Sequence, residues 1–244
     1  MSLRNYIDKL NRYFWFSKEE WLSFFVAVAV LSIIYIWPET GSLIYLNKIP
    51  IAIIFIAITL FVHHAGQRMM ALSLGLRAEN RLWWYGPLIG LILVMVSGGN
   101  IKFLAATATT AYMLPAHRLG AFRYGPGLTT LSKISLAGPV FNILFSAIIR
   151  LLEWGGILST NIGTELFTLN VAFALWNLLP IPPLDGAKVL YESRLVYAFV
   201  FGSVAAYAFM VFALNFNSYL IALILGGLVW LAYLIFGERV LKAK

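Results

Sequence analysis

The 244-residue chain has only three histidines, and two of them are adjacent inside an apolar run, Phe61-Val62-His63-His64-Ala65-Gly66-Gln67-Arg68. On a helix, His63 and Gln67 are four residues apart and share a face, while His64 points about 100° away. Two side chains at this spacing are how a helix grips a metal ion, although here one member of the pair is an amide. A carboxylate follows in Asn177-Leu178-Leu179-Pro180-Ile181-Pro182-Pro183-Leu184-Asp185-Gly186. The prolines break any helix and expose carbonyls, so the segment should face a polar cavity. Asp185 is then a lone carboxylate near a membrane surface, or simply an N-cap or turn residue, since Asp-Gly is common in turns. Between these two segments lies Leu136-Ala137-Gly138-Pro139-Val140-Phe141-Asn142. Its small residues let helices approach closely, and Asn142 is suited to hydrogen-bond a neighbouring helix.

The elements that must carry these residues are membrane helices. The chain is 61% hydrophobic and 11% charged, with a mean hydropathy of +0.84. A soluble domain has about a quarter charged residues, so a water-soluble fold is excluded. The net charge of +8 comes from 18 Lys and Arg against 10 Asp and Glu. These basic residues fall between apolar runs and form no patch, which argues against a nucleic-acid partner. There is no cysteine, so disulfides, thiolate chemistry and Cys-bound metal centres are excluded. Residues 1–20 mix charges with aromatics and lack the apolar core and cleavage site of a signal peptide.

A spanning helix needs about 20 apolar residues. Runs at 21–37, 51–74, 133–152, 166–179, 195–214 and 219–236 meet or approach that length. A shorter run at 87–96, bounded by Gly86-Pro87 and by Ser97-Gly98-Gly99-Asn100, reads as re-entrant or interfacial. Lys and Arg concentrate in short cytoplasmic loops. With six spans and the amino terminus inside, all basic residues except Lys48 and Arg150 fall on the cytoplasmic side, and Arg150 can pair with Glu153 three residues on. Residues 1–20 suit an amphipathic helix in the interface. Residues 102–124 suit strands or a hairpin, which can sit at membrane depth only within protein or a water-filled cavity. The expected fold class is therefore an all-α polytopic membrane protein of about six transmembrane helices, with a re-entrant or short β region between the second and third. An interfacial segment over 1–20 precedes a single membrane domain over 21–244, and both termini are expected to be cytoplasmic.

The order of a metal-type helix, an Ala-Gly-Pro-x-x-Asn span and an Asn-x-x-Pro-x-x-x-Leu-Asp-Gly segment resembles the site-2 protease family of intramembrane zinc metalloproteases, over about residues 51–186. In that family H-E-x-x-H supplies two zinc-binding histidines and a general base, and the Asp of the later segment is the third ligand. Carried over, the resemblance assigns zinc-ligand positions to His63 and Asp185, and a cleft lined by Asn142, Asn177, Pro180 and Pro182. It also exposes two departures: His64 stands at the general-base position and Gln67 at the second histidine. A zinc protease needs three protein ligands and an open water position, and a general base contributes about 10²- to 10⁴-fold. Losing both should abolish turnover.

The leading expectation is thus a catalytically inactive family member with no cofactor, acting as a binding or accessory subunit for other membrane proteins or a transmembrane segment in the lipid bilayer. A working zinc protease with an altered site, drawing on His63, His64 or His117 and Asp185, is the second. A small transporter or proton path built on His63, His64 and Asp185 is the third.

Overall fold

Backbone N–H and C=O groups inside a bilayer must be satisfied within the segment that carries them, so each long apolar run becomes a helix. The computed structural model describes residues 3–38, 46–114 and 126–237. Among them the order is α1 (Leu3–Tyr13), α2 (Lys18–Ile36), α3 (Ile49–Ser73), β1 (Leu76–Leu82), α4 (Tyr85–Val96), β2 (Thr107–Met113), α5 (Leu128–Trp154), α6 (Thr160–Asn177), α7 (Asp185–Glu192), α8 (Arg194–Leu214) and α9 (Tyr219–Ala232). A π-helical turn carries α9 on to Gly237.

Five of these helices are long and apolar enough to cross a membrane: α2, α3, α5, α8 and the α9 run to Gly237. The expected fourth span is α6, which starts earlier than the apolar run suggests. Its Asn161, Thr164, Glu165, Thr168, Asn170 and Asn177 keep it less apolar than the five. The short run after Gly86 is helical, as α4, and at about 1.5 Å per residue its 12 residues reach only about half of a 30 Å hydrocarbon core.

The β region differs in one respect from expectation. β2 falls inside residues 102–124, but its partner is β1, which precedes α4, paired antiparallel from Leu76↔Met113 to Leu82↔Thr107. The alternation Leu76-Arg77-Ala78-Glu79 was the available signal for β1, with Leu76, Ala78 and Asn80 buried. Residues 115–125, including His117, lie outside the described residues.

Helix α5 lies at the centre, packed on α3, α6 and α7, while α2 covers α3 and β1 and α8 covers α6, α7 and α9. The main apolar core draws Leu31 and Ile34 from α2, Ile56 and Leu60 from α3, and Phe167 and Phe173 from α6. On α5 the expected Arg150–Glu153 pair forms, at 2.6 Å.

Arg68 departs from its expected place among loop charges. It is 1% exposed and its Nη2 pairs with the buried carboxylate of Glu20. Glu20 closes a capping box with Ser17 at the start of α2, and its Oε1 also accepts from the backbone N–H of Asn80 at 3.1 Å. Arg68 Nη1 donates to the carbonyls of Phe14 (2.8 Å) and Trp15 (3.0 Å). This one ion pair therefore joins α2, α3, β1 and the turn that follows α1.

Removing one member of a buried pair leaves the other uncompensated, which typically costs about 3–5 kcal/mol, whereas an apolar replacement of both is far milder. Glu20→Ala and Arg68→Ala should each lower thermal stability in detergent by that order. The double variant Glu20→Met/Arg68→Met should recover most of the loss; two single losses that simply add would refute the coupling.

Candidate functional site

Close approach of backbones builds the site. A Cβ on Gly66 of α3 would stand 2.5 Å from Phe141 Cγ and 2.8 Å from the Ala137 carbonyl oxygen, and a Cβ on Gly138 would stand 2.5 Å from His63 Nε2. The small residues of α5 thus let α3 lie against it with the His63 ring over Gly138. Gly186 does the same for α7, because a Cβ there would be 2.0 Å from the Leu178 carbonyl oxygen. That contact explains the glycine after Asp185. Asp185 is the first residue of α7, not its cap; Leu184 holds the cap position. Its carboxylate turns inward at the positive end of the helix.

Four side chains then meet. His63 Nδ1 lies 2.8 Å from Asn142 Oδ1, and Nε2 lies 2.9 Å from Asp185 Oδ2. Gln67 Nε2 is 2.9 Å from the same Asp185 oxygen and 3.1 Å from His63 Nε2. All four side chains are buried.

The surrounding partners decide the proton positions. Asn142 Nδ2 donates to the Thr59 carbonyl (3.0 Å) and to Asn170 Oδ1 (2.9 Å), which leaves its oxygen to accept from His63 Nδ1–H. Thr109 Oγ1 donates to Gln67 Oε1 at 2.8 Å, which turns the Gln67 NH₂ toward Asp185. Asn80 Oδ1 lies 2.7 Å from the same hydroxyl, which has one proton to give; exchanging the two ends of the Asn80 amide, whose Nδ2 has no partner among the described residues, lets that nitrogen donate to Thr109 Oγ1. With Nδ1 already protonated, the 2.9 Å contact between His63 Nε2 and Asp185 Oδ2 is favourable when a further proton, carried by either group, lies between them.

Lys188 sits three residues beyond Asp185. Its Nζ donates to the Thr109 carbonyl at 2.7 Å and lies 3.8 Å from Asp185 Oδ1. Burial pushes its pKa below the usual lysine value, and Asp185 opposes that shift. On the other side of α3, His64 Nε2 meets Thr107 Oγ1 at 3.0 Å, its Nδ1 has no partner among the described residues, and its ring lies among Phe16 and Phe24.

The structure brings His63, Gln67, Asn142 and Asp185 together. Asn177 is buried but bonds back to its own helix at the Phe173 carbonyl, 2.8 Å away, and Pro180 and Pro182 are exposed on the connection from α6 to α7. Thr107, Thr109, Asn80 and Lys188 join the site although their sequence context does not single them out. For Lys188 the signal was its i, i+3 spacing from Asp185.

As a donor set for a metal the centre offers one imidazole and one carboxylate. The third group facing it is an amide nitrogen, which has no lone pair to give, and the amide oxygen is held by Thr109. Among the described residues no three His, Cys, Asp or Glu side chains stand together as a metal site. A catalytic zinc needs three ligands, so these residues do not fit one.

The Gly138 contact yields a test. Gly138→Ala should force the His63 ring off α5 and lower stability by about 1–3 kcal/mol, the usual cost of overpacking. Gly227, where an added Cβ would have nothing within 4 Å, is the control: Gly227→Ala should be neutral or gain about 0.5–1 kcal/mol of helix stability. Equal effects in thermal unfolding would contradict the close approach.

No family model matches the chain, and no solved structure matches it. A Methanocaldococcus jannaschii protein named as a putative zinc metalloprotease is 30% identical over 193 residues, covering 77% of this chain and 91% of that protein. The match spans most of both chains. The chain belongs to the family of that putative zinc metalloprotease, which fits a site-2-protease-like family of membrane proteins.

Proposed function

We propose that this chain is a non-proteolytic member of its family, keeping the fold and using it to bind other membrane proteins or a single transmembrane segment as an accessory subunit. The observation that supports this most is the Gln67 amide. Its NH₂ stands against both His63 Nε2 and Asp185 Oδ2, where a family enzyme would present a second histidine to zinc. His63-His64-Ala65-Gly66-Gln67 is, on this reading, a degenerate H-E-x-x-H. The general-base position holds His64, whose Nε2 is taken up by Thr107. A water activated for attack on an amide needs both the metal and a base to accept its proton, and this chain offers neither in the required place.

On the same reading α6 is a sixth span. At 18 residues it is about 27 Å long, and its Asn170 is satisfied by Thr59 Oγ1 at 3.2 Å and the Leu166 carbonyl at 2.8 Å. An even number of spans puts the segments before α2 and after α9 on one side, the cytoplasmic one by the distribution of Lys and Arg. α4 is then re-entrant.

A second reading, an active zinc protease with an altered site, draws on the name of the M. jannaschii relative. Elemental analysis of the purified full chain separates the two. The accessory reading expects far less than one zinc per chain, unchanged by Asp185→Ala, and zinc uptake only after Gln67→His. One zinc per wild-type chain, lost on Asp185→Ala, together with cleavage of a membrane substrate, would establish the protease instead.

A further inference from the structure

The short segment between α1 and α2 does more than join them. Besides accepting from Arg68 through the carbonyls of Phe14 and Trp15, it lays the Phe16 ring on the Arg68 guanidinium, 4.2 Å from centroid to Cζ. The same ring lies 6.3 Å from the His64 ring and 6.0 Å from Phe61. Residues 14–16 therefore form a hook over the side of α3 that carries His64, and His64 is buried beneath it.

The hook, held by Arg68, is continuous with α1. The Tyr6 hydroxyl of that helix donates to the Met69 carbonyl at 3.1 Å, seating α1 on the last turns of α3. Since α3 is long and apolar enough to cross the membrane, its end places α1 near the bilayer surface. No residue of α1 is buried. Leu3 is 77% exposed, Ile7 48% and Trp15 71%, and Leu3, Ile7 and Leu10 recur at helical spacing, with Arg4, Asp8, Lys9 and Arg12 around the rest of the helix.

The surrounding charge is mostly positive. On α1 itself Arg4, Lys9 and Arg12 outnumber Asp8, which pairs with Arg12 at 2.9 Å, and beyond the hook Lys18 and Glu19 open α2, where Glu20 is taken up by Arg68. An apolar strip this short binds a bilayer weakly on its own, and stable anchoring takes a second signal such as basic residues facing anionic lipid.

We propose that α1 docks on an anionic lipid headgroup layer, with Leu3 and Ile7 entering the interface and the basic residues facing the headgroups, and that this docking keeps residues 14–16 closed over His64. The occupant follows from the charge and from continuity with the membrane-spanning surface. The inference does not depend on whether the His63–Asp185 centre is active, because it concerns access to the opposite side of α3.

The absence of cysteine makes the test clean. The full chain carrying Ile7→Cys with an environment-sensitive fluorophore is placed in nanodiscs of phosphatidylcholine alone or mixed with phosphatidylglycerol. The expected result is a blue-shifted probe in the anionic discs that is lost at high salt. Arg4→Ala and Arg12→Ala should each weaken the response by about fivefold. His64→Cys should react with a water-soluble thiol reagent more slowly in the anionic discs. Hydrogen exchange of the wild-type backbone over residues 14–17 should be slower there too, a measurement that needs no substitution near the core. Identical probe spectra in both lipids would overturn the headgroup docking, and faster or unchanged exchange over 14–17 in anionic discs would overturn its link to the hook.

Discussion

A buried amide holding a buried carboxylate is the contact on which this structure depends. Gln67 Nε2 bonds Asp185 Oδ2 while Gln67 Oε1 takes the Thr109 hydroxyl, so one side chain of α3 ties down both α7 and β2. His63 continues the same network into α5 through Asn142, and Asn142 carries it into α6 through Asn170. Lys188 closes it, reaching from α7 back to the backbone of β2. Polar groups in such surroundings are costly when unsatisfied, and breaking one link strands several others. The packing around the network is equally constrained, because Gly66, Gly138 and Gly186 each stand where a methyl group would collide.

A second network, centred on Glu20 and Arg68, is built next to the first and touches it through Asn80. The backbone N–H of Asn80 binds Glu20 while its side chain meets Thr109. The strand β1 is thus pinned between the two, which gives a short two-stranded sheet a fixed place beside the membrane helices. A two-stranded sheet alone would be marginal. Here its inner face carries Leu76, Ala78 and Asn80 into contact with α2 and α3.

Much of this could be read from the residues. The apolar runs announce the helices because a bilayer leaves the backbone no alternative, and the four-residue spacing of His63 and Gln67 already places them on one face. Asp185 could not be settled in that way. Its local context permits a helix cap, and only the Gly186–Leu178 contact, made across a turn, shows why the carboxylate points inward. Glu20 and Arg68 were hidden for another reason: each sits at the end of an apolar run, where a charge ordinarily marks the water boundary, and their pairing joins positions 48 residues apart. The polarity at the start of α6 hid its first turns: the helix begins at Thr160, with Asn170 satisfied by α3, α5 and its own helix and Asn177 by the Phe173 carbonyl. β1 was visible in its alternation but obscured by its three charges.

What lies between His63 and Asp185 is therefore decisive: their 2.9 Å contact is flanked by the Gln67 amide, in a fold whose relative is named a putative zinc metalloprotease. The ¹⁵N resonances of the His63 ring report this directly, since metal coordination, protonation and a free lone pair give distinct shifts. The expected result is an Nδ1–H bonded to Asn142 and an Nε2 signal unchanged by a molar excess of zinc. An Nε2 resonance that moves to a metal-coordinated position as zinc is added, and returns on chelation, would contradict it.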